Sequence, residues 1–278
     1  MFASHHLKYC TTVSFWKLLV HGKIQGQHVQ LQPSQKAQVR LFEPPRALPG
    51  VLAFAKFGAV LKRRLTTIIF DYGGVLGLPL DPSHEAAMMA LTHLGQRQFR
   101  AAYLRDRAEF DRGTMSADEY WRRMFEAGGV EATPELLARV EREDVLGWSR
   151  VNTRVVAWSY ELRGAGYRTA ILSNMPCVKL TFMRANGEFA WLKDFPVAVF
   201  SCEHRLIKPE PSIYRLCLEK LGSSPEECLF LDDVRENADG ARAVGIHAFV
   251  FESAESAADQ LERDWALPVE KLRDGEPR

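Results

Sequence analysis

The sequence predicts an α/β fold: a doubly wound parallel sheet with a block of α-helices inserted into it. Two observations carry that expectation. From Leu65 onward, short apolar β-like runs alternate with helix-like runs over short connections, the pattern of right-handed strand–helix units. Polar residues also gather where successive apolar runs stop, at the edge where open parallel sheets bind their ligands.

The first strand is TTIIF at 66–70, β-branched and apolar throughout, as expected of a strand buried on both faces. Asp71 stands at its C-terminal end. Residues 77–150 have no strand character and carry three stretches of helical apolar spacing: HEAAMMALTHLGQRQFRAAYLRDRAEF, SADEYWRRMFEAGG and TPELLARVEREDVLGW. Ser116 with Glu119 fits a capping box, and Thr133 followed by Pro134 fits an N-cap with proline at the first helical position. The core resumes with a helix over about 152–163 closed by Gly164 and Gly166, a strand at 167–173 and a helix after Pro176. VAVFS at 197–201 is the third strand. A loop carries Lys208 to a helix running from Ser212 to Leu221, with Gly222 as its stop. Ser224, Pro225 and Glu227 form a capped turn, CLFLDD at 228–233 is the fourth strand, ENADGARAVG its helix, and IHAFVF at 246–251 closes the sheet.

These elements divide the chain into a core of 65–76 and 151–255, a helical insertion of 77–150, and a C-terminal helix and tail of 256–278. Residues 1–64 differ in kind. They hold ten basic residues and one acidic residue, Glu43, for a net charge of +9, whereas the remainder of the chain is at −8. Without sustained periodicity, this leader is expected to lie outside the fold, as a disordered basic extension or the product of a start codon placed too far upstream. Its aromatic residues Phe2, Tyr9, Phe15, Trp16 and Phe42 form no recognisable nucleic-acid-binding pattern, so no nucleic-acid partner is expected. No apolar run approaches the roughly 18 residues that would span a bilayer, so no membrane partner is expected. Cys10, Cys177, Cys202, Cys217 and Cys228 show neither CxxC pairing nor zinc spacing, as expected of reduced thiols in a cytoplasmic protein.

The strand ends carry chemistry that can be read by residue type. Asp71, between a buried strand and the tight turn Gly73-Gly74, is placed to attack a phosphorus atom in line. A phosphoryl dianion repels such a carboxylate, so a cation is required. Asp71, Asp233 and the Gly73 carbonyl offer hard oxygen ligands for magnesium, with Asp232 in support. Lys208 can neutralise both the transferring phosphoryl group and Asp71. Ser173, with backbone N–H groups of the turn such as that of Gly74, can bind phosphate oxygens, and Asn174 stands beside them.

FDYGGVL at 70–76, ILSN at 171–174, KPEP at 208–211 and FLDD at 230–233 occur in one order, and in that order they resemble the haloacid dehalogenase superfamily. The resemblance covers about residues 65–252. It implies a Rossmann-like core, a helical cap of the subfamily IA kind between the first two motifs, and magnesium-dependent hydrolysis of a small phosphorylated metabolite through an aspartyl-phosphate on Asp71, by a monomer or homodimer. Most phosphatases of that superfamily carry a second Asp two residues after the nucleophile as general acid and base; here that position is Gly73. The bacterial alpha-glucose-1-phosphate phosphatases also have Gly there, and their RGxxSxxxF-like cap segment is loosely matched by DRGTMSADEYW at 111–121. The resemblance implies a substrate such as a sugar 1-phosphate, because an anomeric or acyl oxygen leaves with less need of a proton than a simple alkoxide. Two cap residues are singled out: His84 as a surrogate acid and Arg112 as a substrate contact. Tyr120, Trp121, Phe125 and Trp148 are expected in the cap core. Two alternatives stay open: a metal-free 2-haloacid dehalogenase, and a phosphate-binding protein without turnover.

Overall fold

The computed structural model describes residues 65–274; the expectations placed on residues 1–64 lie outside the described residues. Five strands form one sheet: β1 (Thr67–Phe70), β2 (Arg168–Ser173), β3 (Val197–Phe200), β4 (Cys228–Asp232) and β5 (His247–Val250). Their order is β3-β2-β1-β4-β5 and every pairing is parallel. Chain order runs outward from β1 through β2 to β3, then returns to the other side of β1 for β4 and β5. The reversal leaves a crevice at the carboxyl end of β1, where doubly wound sheets bind ligands.

Both sheet faces are covered, which is why β1 reads as an unbroken apolar run. Ile68 and Phe70 point to one face with Ile171, Leu229 and Leu231; Ile69 points to the other with Ala170, Leu172 and Phe230. Each of the larger buried side chains contributes about 1.5–3 kcal/mol relative to exposure.

The helical insertion leaves and rejoins the sheet at one place. Gly77 and Val151 form an isolated antiparallel bridge, and the Leu78 N–H donates to the Arg150 carbonyl at 2.8 Å. Between them lie α1 (Pro82–Thr92), α2 (Gln96–Arg105), α3 (Arg107–Arg112), α4 (Ala117–Ala127) and α5 (Pro134–Gly147). The long helical stretch expected over 84–110 is therefore three helices. His93 ends α1 in the left-handed region at φ 55°, Gly95 caps α2, and Asp106 breaks the chain again with φ −112° and ψ 8°. Apolar spacing continues through these breaks because all three segments face one core, so periodicity alone does not reveal them. That core holds Met88, Phe99, Phe110, Tyr120, Trp121, Phe125 and Val140, with Phe110 stacked on Tyr120 at 4.4 Å. The caps lie where the sequence put them: Ser116 Oγ accepts from the Glu119 N–H, and Thr133 caps α5 ahead of Pro134.

The sheet faces are covered by α6 (Thr153–Gly164), α7 (Cys177–Ala185), α8 (Ser201–His204), α9 (Pro211–Leu221), α10 (Arg235–Ala243), α11 (Ala254–Trp265) and α12 (Glu270–Arg273). One residue expected at the end of the third strand does other work. Ser201 opens α8, where its hydroxyl accepts from the Met175 N–H at 2.8 Å and donates to the Asp111 carbonyl at 2.5 Å. It thereby ties the loop after β2 to the insertion.

Close approach makes Gly128, after α4, a sensitive position: a Cβ built there would lie 1.7 Å from the Thr92 carbonyl oxygen. Backbone would have to move, so Gly128→Ala is expected to destabilise the fold by about 1–3 kcal/mol, as overpacking does. Denaturant unfolding measures this directly, and an unchanged midpoint would contradict the packing of α1 on α4.

Candidate active site

Asp71 continues the ladder one step beyond β1, its N–H donating to the Leu231 carbonyl at 2.9 Å, and its carboxylate accepts from the Tyr72 N–H at 2.7 Å. The chain then turns tightly through Tyr72–Leu76. Gly74 takes φ +69°, and a Cβ there would stand 2.3 Å from Asp233 Oδ2. Glycine is required twice over at this position, for its conformation and for the approach of the loop after β4.

Lys208 arrives from the loop after β3. Its ammonium lies 2.9 Å from Asp71 Oδ1 and 2.6 Å from Asp232 Oδ2, and the residue is 3 % exposed. Its backbone is held from both sides by Asn174, whose Oδ1 accepts from the Lys208 N–H at 2.9 Å and whose Nδ2 donates to the Lys208 carbonyl at 3.0 Å. Asp232, fully buried, also accepts from the Val234 N–H at 2.8 Å and from Asn237 Nδ2 at 3.1 Å. Asp233 projects into the cavity instead.

Carboxylate oxygens of Asp71, Asp232 and Asp233 lie within 4.8 Å of one another. Burial pushes Asp71 up to about 7, with Asp232 and Asp233 adding to the rise and Lys208 opposing it. Asp233 is pushed up to about 6, first by desolvation and then by Asp232. For Lys208, burial opposes protonation, but the two aspartates outweigh it and hold the ammonium charged. Three hard donors that repel one another suit a small divalent cation such as magnesium, so the residues present fit the metal. Asp71, Asp232 and Asp233 would hold it, with Gly73 on the same cavity wall.

The cavity above them measures about 270 Å³. On the core side it is walled by Asp71, Gly73, Asn174, Lys208 and Asp233, and on the insertion side by Tyr103, Leu104, Arg107, Asp111 and Trp148. Arg107 is committed: Nε donates to Asp111 Oδ1 at 2.8 Å and Nη1 contacts Asp144 at 3.3 Å and the Tyr103 hydroxyl at 2.5 Å. The Tyr103 hydroxyl donates to Asp144 and accepts from Trp148 Nε1 at 3.0 Å. Burial raises Asp111, against the pull of Arg107.

Not every expected residue reaches this cavity. Ser173 is buried beneath the strand end, its Oγ 3.4 Å from the Asn174 carbonyl, and is not on the wall. Arg112, expected to contact substrate, instead makes a two-pronged pair with Glu210 at 2.6 and 2.9 Å and is also off the wall. His84 pairs with Glu143 at 2.7 Å, away from the cavity, so it is not placed to act as an acid there. Trp148, expected in the insertion core, is half-buried on the wall because it follows the end of α5.

Sequence reasoning missed Lys179, Arg107, Tyr103 and Asn237. For Lys179 a signal existed: it shares the buried face of α7 with Leu180 and Met183, an unusual place for an ammonium. Its Nζ lies 4.3 Å from the centroid of the Tyr72 ring and 5.3 Å from that of Trp148. Burial brings it down to about 7.

A family model described as haloacid dehalogenase-like hydrolase matches residues 65–245. Among curated proteins, the chain is 28% identical to acyl-CoA dehydrogenase family member 10 of Mus musculus over 220 residues, covering 74% of this chain and 20% of that protein. It is 29% identical to phosphatase MT3486 of Mycobacterium tuberculosis over 153 residues, 49% of this chain and 69% of the other. The chain thus spans about a fifth of the mouse relative. Among solved structures, a HAD family enzyme from Bacteroides thetaiotaomicron, bt-2542, superimposes with a TM-score of 0.56 at 21% identity, covering 67% of this chain and 93% of that one. The wild-type form of that enzyme has also been solved in complex with magnesium and inorganic phosphate.

The raised Asp71 makes a stability prediction for the metal-free protein. Its folded value of about 7 exceeds the ordinary 3.8, so between those values the native state holds a proton that the unfolded chain has lost. This group's contribution to stability therefore falls as pH rises through that window. The melting temperature of wild type, compared with Asp71→Asn across the same pH range, should show the extra decline, and magnesium should oppose it most at the higher pH. Parallel curves for the two proteins would contradict the raised carboxyl.

Proposed function

This chain belongs to the haloacid dehalogenase-like hydrolases, and we propose that within them it is a magnesium-dependent phosphatase that releases phosphate from a small phosphorylated metabolite through an aspartyl-phosphate on Asp71. The observation that carries this reading is the convergence at the strand ends. A carboxylate faces the cavity, a buried lysine touches it at 2.9 Å, and two further carboxylates stand within 4.8 Å. The phosphatase named among the relatives, and the magnesium and phosphate bound by the Bacteroides enzyme, support it.

Each residue then has a physical task. Asp71 attacks phosphorus, its carboxylate oriented by the Tyr72 N–H and by Lys208. Lys208 offsets the repulsion between Asp71 and the incoming phosphoryl group, and Asn174 keeps its backbone in place. Asp232, gripped by Lys208, Asn237 and the Val234 N–H, fixes the lysine in turn. Magnesium, when bound by Asp71, Asp232 and Asp233, supplies positive charge to the phosphoryl oxygens. Trp148 and Leu104 present apolar surface to the body of the leaving group. Within this class a sugar 1-phosphate is the first substrate to assay, on the strength of Gly73.

Phosphate release from sugar 1-phosphates, sugar 6-phosphates, acyl phosphates and p-nitrophenyl phosphate, with and without magnesium, tests the reading. Turnover should require magnesium, fall to background in Asp71→Asn, and drop by roughly 10²–10³ in Lys208→Met. A folded wild type that released no phosphate, yet released halide from 2-haloacids without metal, would replace phosphatase by dehalogenase.

A further inference from the structure

Gly73 leaves a chemical gap on the leaving-group side of Asp71. A Cβ built on Gly73 would point at the Trp148 ring edge, 3.6 Å away, so the space a side chain would use there is bounded by that indole. Over the same indole, and over the Tyr72 ring, stands the Lys179 ammonium. Lys179 is 3 % exposed and lines the cavity with Asp71. Among the described residues no carboxylate lies within ion-pair distance of its Nζ and no acceptor takes a hydrogen bond from it. Two aromatic faces lie against it, and Asp144, Arg107, Asp111 and Asp71 act on its charge from longer range. A buried cation without a counter-ion is costly, and it is tolerated where a ligand completes its surroundings.

Most other titratable groups of the cavity are engaged. Arg107 binds Asp111, Tyr103 and Asp144, the Tyr72 hydroxyl donates to the Trp148 carbonyl, and Lys208 is held by two aspartates. Asp233 belongs to the carboxylate cluster that would hold the metal. We propose that Lys179 is the general acid and base of this site, giving a proton to the departing oxygen and later taking one from the attacking water. The proposal rests on the phosphatase reading above. In the first step an Asp71 oxygen bonds to phosphorus, the bond from phosphorus to the leaving oxygen breaks, and the Lys179 ammonium protonates that oxygen and becomes a neutral amine. In the second step water attacks the phosphorus of the aspartyl-phosphate, its proton passes to the amine, and Asp71 and phosphate are released with Lys179 charged again. A general acid works best with a pKa near the operating pH. Burial and Arg107 lower Lys179 while Asp144, Asp111 and Asp71 raise it, leaving it at about 7. With such a donor, the site is not confined to leaving groups that depart unprotonated.

The test is a leaving-group series of phosphate monoesters, from p-nitrophenyl through phenyl to simple alkyl, run with magnesium on wild type, Lys179→Met and Lys179→Arg. Alkyl phosphates, whose oxygen needs the proton, should lose roughly 10²–10⁴ in kcat in both variants, and p-nitrophenyl phosphate less than about tenfold. Lys179→Arg keeps the charge over the rings but transfers no proton, so it should hold KM and still fail on alkyl substrates. Replacing an uncompensated buried ammonium by methionine should hold or raise the melting temperature, which separates lost chemistry from lost folding. An equal loss across the whole series, or full recovery of alkyl turnover in Lys179→Arg, would overturn the assignment and leave the phosphatase reading standing. A wild type inactive on every ester would overturn that reading, and this proposal with it.

Discussion

The Lys208 ammonium, without contact with solvent, is the charge around which the strand ends are arranged. It is shared between Asp71 after β1 and Asp232 at the end of β4, so one lysine from the loop after β3 joins two neighbouring strands. Desolvating such a group is expensive, and the cost is recovered only where every partner is well placed. Here each is: Asn174 holds the lysine backbone, and Asn237 and the Val234 N–H complete the hydrogen bonds of Asp232. The triad is therefore a stiff frame from which Asp71 and Asp233 are left facing the cavity.

That frame concentrates negative charge, and the local backbone is shaped to permit it. Gly74 accepts a positive φ and leaves room for the Asp233 carboxylate within a distance that any side chain would occupy. Burial, with the mutual repulsion of the three carboxylates added to it, raises two of them toward neutrality, which is unfavourable for a folded protein without a cation and well suited to binding one. Stability is given up at this edge of the sheet, where the candidate site lies, and made good by the apolar layers on both faces.

The helical insertion adds a second, independent core and a second polar network. Its contact with the rest of the molecule includes particular polar groups, Arg112 with Glu210 and the Ser201 hydroxyl between Met175 and Asp111, beside apolar packing of Val178 on the insertion core. Arg112 serves to dock the insertion, while Arg107, one turn earlier and on the side of α3 toward the cavity, joins Tyr103 and Trp148 in forming the roof. Leu104, 67 % exposed, sits on that roof as an apolar edge at the cavity mouth.

The amino-acid sequence by itself determined the sheet, its buried strands, most helix boundaries and the positions of Asp71, Lys208, Asp232 and Asp233, because these depend on local features: β-branched runs, glycine stops, caps, and polar residues at strand ends. It also located the insertion, though not the breaks at His93 and Asp106, since helices sharing one core keep a common apolar spacing across a bend. Only the tertiary structure decided which side chains meet over the Asp71 carboxylate. Ser173 and Asn174 are adjacent in sequence, yet one is buried under the strand and the other holds Lys208. Arg107 and Arg112 lie on one short helix and face different partners. Lys179 reaches the cavity because α7 packs against Tyr72 and Trp148, residues distant in the chain, one before the insertion and one at its end. Such convergence is set by how helices pack and rotate about the sheet, a long-range balance of burial and charge that no local run of residues encodes.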